Sequence, residues 1–190
     1  VGKTTWLSAS WAFGALLGLA YAARRLDHNG EPTKLMRGGL IVGLVAFPTV
    51  IFSAPLGSAL LFFIGALLIG FGAGLFSVAT LILAMTIPIS GIAGRGLAIG
   101  AWGAAQATAA GISIALGGFL RDFINYHAMR GSWGEALATP ATGYSFVYHS
   151  EIVLLIVTLL VLYPLIRQGQ HIASKTDQGS AGIRLADFPM

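Results

Sequence analysis

The sequence predicts an all-α membrane protein, a polytopic bundle of about five transmembrane helices. Two observations predict this class. Hydrophobic residues make up 56% of the chain and charged residues only 9%, and the mean hydropathy is +0.80. Soluble domains carry roughly 25% charged residues, so this chain cannot cover a water-facing surface. Lipid is therefore the expected solvent, and spanning segments that must satisfy their own backbone hydrogen bonds are expected to be helices.

Five apolar segments are long enough to cross a bilayer core, which needs about 20 residues per helix. Charges and turn residues separate these segments, for example Arg24-Arg25 and Pro55-Leu56-Gly57. The arrangement predicts a helix bundle over residues 1–166, a polar tail over residues 167–190, and a longest loop over residues 121–148. The predicted spans cover residues 5–23, 38–54, 59–86, 97–119 and 150–166.

The distribution of Lys and Arg predicts the orientation. With five spans, Lys3, Arg121 and Arg130 fall on one side, and the other eight of the 11 basic residues fall on the opposite side. Because basic loops stay in the cytoplasm, the 24–37 loop and the C-terminal tail are predicted to be cytoplasmic and the N-terminus external. An odd number of spans with an external N-terminus is typical of the later part of a longer polytopic protein.

An alternative interpretation makes the first apolar segment a secretory signal peptide. A basic residue near the start, an apolar run and the small-residue sequence Ala20-Tyr21-Ala22 fit that pattern. A signal peptide would export the basic 24–37 loop that follows it, against the charge rule. The charge distribution therefore favours a transmembrane span.

Four pairs of glycines have the spacing G-x-x-x-G within or beside a predicted span. Glycines at positions i and i+4 let two helix backbones approach closely, and van der Waals packing then drives their association. We predict packing within the chain rather than a dimer interface. The pairs are Gly14/Gly18, Gly39/Gly43, Gly70/Gly74 and Gly96/Gly100.

The fourth span carries a glutamine in the run GAWGAAQATAAG, residues 100–111. At helical spacing Gln106 shares one face with Trp102 and Ser113. An unpaired amide in hydrocarbon costs several kcal/mol, so this face should meet another helix or a bound apolar molecule. A small polar stripe on the third span, Ser77, Thr80 and Ala84, is a candidate to face it.

The fifth span begins with GYSFVYHSE, residues 143–151. His149 can titrate or ligate a metal through a ring nitrogen, and Glu151 is a candidate proton or polar site because carboxylates are costly within a membrane. Two residues apart on a helix, they point in nearly opposite directions. Alternatively both lie in headgroup water, beside the aromatic belt that Tyr144, Tyr148 and Trp133 suggest.

Patterns typical of enzymes do not occur in the sequence. Paired carboxylates, G-x-S-x-G, H-E-x-x-H and P-loop motifs are missing. The chain has no cysteine for thiolate chemistry, seven acidic residues, and a net charge of +4 that is too scattered to suggest nucleic acid. We therefore predict no enzymatic activity, no catalytic residues and no protein metal site.

Two stretches carry a family resemblance: RGLAIGAWGAAQATAAGISIALGGFLRD, residues 95–122, and ATGYSFVYHSEI, residues 141–152. They strongly resemble the PucC/LhaA family of purple bacteria, the bacteriochlorophyll-delivery branch of the major facilitator superfamily. The resemblance extends over most of the chain, including its IRLADFP ending. It implies the C-terminal half of a major facilitator fold.

The resemblance also implies a function, that of a light-harvesting antenna assembly factor in the intracytoplasmic (inner) membrane. Such a factor would deliver or insert bacteriochlorophyll, bound transiently, into antenna polypeptides. The implied partners are the light-harvesting α and β polypeptides and the reaction centre–antenna complex. The candidate pigment contacts are Trp102, Gln106, Ser113 and His149.

Two other functions remain alternatives. A facilitator-type secondary transporter would move a small solute by alternating access, and ion coupling would call for ionisable residues near the bilayer midplane. The chain places Gln106 there instead of a charge, which favours the assembly factor. The other alternative is a purely structural surface that docks to a photosynthetic complex without binding pigment.

Overall fold

The computed structural model describes residues 2–28, 30–86, 92–131 and 133–180, and it is helical between short turns. Its five α-helices are α1 (Gly2–Asp27), α2 (Pro32–Ser53), α3 (Ala59–Met85), α4 (Ile92–Met129) and α5 (Ala141–Ser180). A short 3-10 helix, η1 (Glu135–Leu137), lies between α4 and α5. Each α-helix contains a segment long and apolar enough to cross a membrane, which confirms the predicted all-α membrane class.

The chain divides into two compact units, Val1–Leu155 and Ile156–Met190. The first unit contains α1 to α4 and the beginning of α5, and all the packing described below belongs to it. In the second unit the described residues continue α5 to Ser180, with Pro164 inside the helix. The helix therefore extends past residue 166, where the polar tail was predicted to begin.

The helices α4 and α5 are longer than the sequence patterns predicted. Helix α4 continues to Met129 instead of ending at residue 119, and α5 begins at Ala141 instead of residue 150. The predicted loop 121–148 was therefore wrong, and the connection is only residues 130–140. Apolar residues continue the helical period through this region, since Ile124 and Ala128, four residues apart, are both buried.

The turn between α2 and α3 lies where Pro55-Leu56-Gly57 predicted it. Gly57 has a φ of 59°, a left-handed conformation that glycine adopts without a steric penalty. Ser58 then caps α3, because its Oγ accepts a hydrogen bond from the backbone N–H of Leu61 at 3.3 Å. This tight turn places α2 beside α3.

Helix α3 packs against α1 through glycines on both helices. A Cβ atom at Gly14 or Gly18 of α1 would collide with the backbone carbonyl oxygen of Leu67 or Phe71 of α3. On the other side of the contact, a Cβ at Gly70 would collide with the carbonyl oxygen of Trp11. The Gly14/Gly18 and Gly70/Gly74 pairs therefore pack within the chain as predicted, and α1 is an integral part of the bundle.

Helix α2 packs on another side of α3, again at glycines. A Cβ at Gly39 would lie 2.7 Å from the carbonyl oxygen of Gly72, and one at Gly43 would lie 3.0 Å from a methyl of Leu155 in α5. The Gly39/Gly43 pair thus also packs within the chain. Gly96 and Gly100 have open space around their Cα atoms in the described part of the chain, so the packing predicted for that pair was wrong there.

Two adjacent glycines of α2 give a matched test of this packing. Gly39→Ala should lower the free energy of unfolding by about 1–3 kcal/mol, the usual cost of overpacking, because the new methyl meets the backbone of α3. Gly38→Ala should be neutral or slightly stabilising, because a Cβ at Gly38 has no neighbour within 4 Å and alanine favours a helix. Thermal unfolding of the two purified variants in detergent checks this prediction, and equal melting temperatures would contradict it.

Candidate functional site

A cavity of about 1050 Å³ lies at the end of the bundle where α1 begins, α2 ends and α3 begins. Its wall is completed by the end of α4, by η1 and by the first turns of α5. Cavities that bind small molecules measure roughly 300–1000 Å³ and are mostly apolar, so this one can admit a large apolar ligand. The apolar wall includes Val50 of α2, Phe62 of α3 and Ile124 of α4.

Polar contacts hold the end of α4 against the start of α5, and they position one side of the cavity. The side-chain oxygen of Asn125 accepts a hydrogen bond from the backbone N–H of Gly143 at 2.8 Å. Arg121 donates to the hydroxyl of Tyr144 at 3.0 Å and pairs with the carboxylate of Asp122 at 2.6 Å. A Cβ at Gly143 would lie 2.6 Å from the carbonyl oxygen of Arg121, so this close approach requires glycine.

Aromatic side chains form much of the rim. Trp133, in the connection before η1, stacks on the ring of His127 with 6.0 Å between ring centroids. Tyr148 packs against Phe47 of α2 at 6.1 Å. Trp133 and Tyr148 both line the cavity. The three aromatic residues predicted to form a membrane-interface belt, Tyr144, Tyr148 and Trp133, therefore share one cavity wall.

His149 also lines the cavity, with an exposed side chain. Its Nδ1 lies 2.7 Å from the backbone carbonyl oxygen of Ser145. A carbonyl oxygen only accepts hydrogen bonds, so Nδ1 must carry the proton in this contact. In the neutral imidazole, Nε2 is then left with a lone pair. Metal-ligating histidines commonly have this arrangement, in which the second ring nitrogen donates to a backbone carbonyl.

The other predicted pigment contacts lie elsewhere. Trp102 of α4 donates from Nε1 to the hydroxyl of Thr80 on α3 at 3.2 Å, so the predicted stripe on α3 does face α4 at that residue. Ser113 is exposed and donates to the carbonyl oxygen of Ala110 in its own helix. Neither residue lines the cavity.

Gln106 lies half-buried on α4 and is also absent from the cavity wall. Among the described residues its amide has no hydrogen-bond partner; Trp102 instead makes the contact with α3. The structure thus keeps Trp102, Gln106 and Ser113 on one helix but does not bring them together with His149 in a single cavity.

Glu151 lies two residues after His149 in α5 and is half-buried. It does not line the cavity that His149 lines, as the helical geometry predicted for two residues that point apart. Within the described residues no group of three or more His, Asp or Glu side chains is arranged to hold a metal ion. The cavity wall itself carries one histidine, aromatic rings and hydroxyl groups.

Sequence patterns missed part of the cavity. The segment from Ser53 to Pro55 and η1 both contribute to the wall, yet the first was interpreted only as the end of a span and the turn after it, and the second only as loop. No periodic signal marks them, because they lie where α2 ends and where the chain turns between α4 and α5. The Trp133 ring was the available signal, since a large aromatic residue in a loop commonly covers an apolar surface.

Comparison with known proteins places this chain in a family. The model of the family described as PUCC protein matches residues 1–170. The chain is 49% identical, over its full length, to 39% of a Rhodobacter capsulatus protein named for the puhA-bchM intergenic region. It is 48% identical over 65% of its length to 27% of Protein PucC from Rhodovulum sulfidophilum, and 36% identical over 88% of its length to 35% of Protein PucC from Cereibacter sphaeroides.

The chain spans between about a quarter and two fifths of the length of these relatives. No solved structure matches it. A family match that covers residues 1–170, together with one relative aligned along the whole chain, establishes the relationship: the chain belongs to the PUCC protein family.

Proposed function

We propose that this chain takes part in assembling the light-harvesting complexes of purple bacteria, by delivering bacteriochlorophyll to the α and β antenna polypeptides. Membership of the PUCC family supports the assembly role. The observation that carries the pigment role is the apolar cavity of about 1050 Å³ with His149 on its wall. Bacteriochlorophyll is the cargo in this proposal, and the protein has no chemical reaction to perform on it.

The cavity residues fit such a cargo. The macrocycle of bacteriochlorophyll is flat and apolar, with keto oxygens and a central Mg²⁺. Trp133 and Tyr148 offer aromatic surface to the macrocycle, and the hydroxyl groups of Thr142 and Ser145 lie in the same wall. His149 would ligate the Mg²⁺ through Nε2, because Nδ1 is committed to the Ser145 carbonyl. A single neutral ligand permits release as well as binding, which delivery requires.

The topology in the membrane belongs to the same proposal. We infer that the chain is the C-terminal half of a longer facilitator-type protein, with the α1–α2 turn and the C-terminus on the cytoplasmic side. The excess of Lys and Arg around that turn supports this orientation. The cavity lies at the other end of α1, α2 and α3, and it would then open near the outer face of the inner membrane.

Pigment content of the full-length protein tests the proposal. Purified gently from cells that lack antenna polypeptides, the protein should carry bacteriochlorophyll in a stoichiometric amount. His149→Leu should weaken pigment binding about tenfold, equivalent to ~1.4 kcal/mol, because it removes the Mg²⁺ ligand and leaves an apolar side chain of similar size. The measurement is the absorption spectrum and the extracted pigment per protein.

The matched control is Gln106→Leu, which also replaces a polar side chain in a span by leucine. Gln106 lies outside the cavity wall, so this variant should keep its pigment. Pigment lost from Gln106→Leu and retained in His149→Leu would move the site to the α4 face. A colourless, folded protein would contradict pigment delivery and favour docking or solute transport.

A further inference from the structure

A second cavity, of about 550 Å³, lies at the other end of the bundle, where α1 ends and α2 begins. Its lining has two chemically different parts. The charged and polar side chains of Arg25, His28, Glu31 and Lys34 line it on the side of the α1–α2 turn, whereas Phe71 and Leu75 of α3 are among its apolar lining. A ligand that fits this cavity therefore has a charged end and an apolar body.

The turn between α1 and α2 positions the charged residues of this cavity. The backbone N–H of Gly30 donates to the carbonyl oxygen of Arg25 at 2.8 Å, and a Cβ at residue 30 would collide with that oxygen. Lys34 pairs with Glu31 at 3.0 Å, and both side chains remain largely exposed. In the described part of the chain, no carboxylate lies within ion-pair distance of Arg25.

The charges of the lining favour an anion. Arg25 and Lys34 contribute two positive charges and Glu31 one negative charge, so the lining carries a net charge of +1 when His28 is neutral. The guanidinium of arginine presents a planar set of donors that suits phosphate oxygens. The guanidinium of Arg25, and the ammonium of Lys34 that also pairs with Glu31, therefore offer donors to a phosphate group in this cavity.

The apolar walls favour a lipid as the source of that phosphate. Tyr21 packs against Phe71 with 6.0 Å between ring centroids, and both rings line the cavity together with Val42. The membrane-length segments Thr5–Asp27 and Pro32–Ser53 end and begin on either side of this turn. If both cross the bilayer, the cavity beside the turn lies near the boundary between headgroups and acyl chains. A water-soluble phosphate has no apolar part that could contact these apolar walls.

We propose that the α1–α2 turn binds an anionic phospholipid, with the headgroup phosphate at Arg25 and Lys34 and an acyl chain along Tyr21 and Phe71. Basic pockets between transmembrane helices are a known form of lipid headgroup site. This site shares no lining residue with the larger cavity that His149 lines. It would tie the α1–α2 turn to the anionic leaflet and so hold the two helices in register at that surface.

Native mass spectrometry of the full-length protein, titrated with phosphatidylglycerol, tests the proposal. Arg25→Gln and Lys34→Gln should each weaken binding about fivefold, the usual effect of one basic residue near an anionic lipid surface. The control is Arg24→Gln, which removes the same charge one residue away and does not line the cavity. It should bind phosphatidylglycerol like the unmodified protein.

Two further arms identify the ligand. Phosphatidylcholine should bind at least fivefold more weakly than phosphatidylglycerol, and inorganic phosphate should not displace the lipid. If Arg24→Gln weakens phosphatidylglycerol binding as much as Arg25→Gln does, the proposed site is wrong, because the lipid is then attracted by the overall positive charge of the turn. Equal binding of phosphatidylcholine, or displacement by inorganic phosphate, would overturn the anionic lipid as the ligand. Size-exclusion profiles matching the unmodified protein ensure that each variant is folded.

Discussion

Gly14→Leu and Gly70→Leu are each expected to prevent accumulation of the folded protein in the membrane. The reason lies in the contact between α1 and α3. A Cβ at Gly14 would collide with the carbonyl oxygen of Leu67, and a Cβ at Gly70 would collide with that of Trp11. These neighbours are backbone atoms within helices, which cannot rotate away as a side chain can. The two helices would have to separate along their whole contact.

The cost of separation is large because helix association in lipid depends on close van der Waals packing rather than on exclusion of water. Even a single methyl group that overpacks a core costs about 1–3 kcal/mol, and leucine adds a branched side chain beyond it. The measurement is the amount of full-length protein in detergent extracts, followed by size exclusion with a fluorescent tag. We expect aggregated or degraded protein for both variants.

Gly100→Leu is the matched control, because Gly96/Gly100 has the same G-x-x-x-G spacing in a different setting. A Cβ at Gly100 has no neighbour within 4 Å in the described residues. This variant should accumulate normally if the damage at Gly14 and Gly70 comes from the α1–α3 contact. Normal folding of Gly14→Leu would show that α1 and α3 do not approach as closely as the structure describes.

The contrast among these glycine pairs shows what sequence can predict about the fold. The G-x-x-x-G spacing predicted that these glycines pack against neighbouring helices, and the structure confirms this at Gly14, Gly39 and Gly70. The same spacing at Gly96 was misleading. A G-x-x-x-G motif allows close packing of two helices, but it does not determine whether a second helix lies there. Partners depend on which helices the turns bring together, and the predicted turn at Pro55-Leu56-Gly57 is the one that places α2 beside α3.

The end of α4 and the beginning of α5 were harder to predict for a physical reason. The charges of Arg121 and Asp122 normally indicate the end of a span, yet these residues pair with each other on the surface of a continuing helix. Arg121 is further satisfied by Tyr144. Charges that satisfy one another do not require a helix to end, so hydropathy alone predicts the boundary of the apolar segment and not that of the helix.

Of the four candidate pigment contacts, only His149 lies on the cavity wall, and the cavity itself was not predicted. His149 stood out because histidine is uncommon in an apolar segment and can bind a metal. Gln106 stood out because an unpaired amide is costly in hydrocarbon, yet it lies outside the cavity wall. A buried-polar argument identifies a residue that needs a partner, whereas a cavity arises where chain reversals leave space. The sequence carries no direct signal for such space.

A substitution that fills the cavity beside His149 is the second change for which we expect a large effect. Ala136→Trp should weaken pigment binding about tenfold, equivalent to ~1.4 kcal/mol, and should therefore lower the amount of assembled antenna complex. Ala136 lies in η1, is exposed and lines the cavity, so an indole ring can enter the cavity without displacing buried residues. The measurement is near-infrared antenna absorption in membranes of cells where this protein is the sole PUCC-type factor.

Ala138→Trp is the control for this experiment, since Ala138 lies two residues away in the same connection and does not line the cavity. Both variants should accumulate to the same level, because neither changes a helix contact of the bundle. Antenna absorption should then fall only with Ala136→Trp. Full absorption in Ala136→Trp would exclude the cavity as the pigment site, and an equal loss in both variants would indicate that the connection itself docks the antenna polypeptides. Because the indole blocks space without removing His149, a selective loss would establish that the cavity itself is needed for assembly, which the His149→Leu variant alone cannot do.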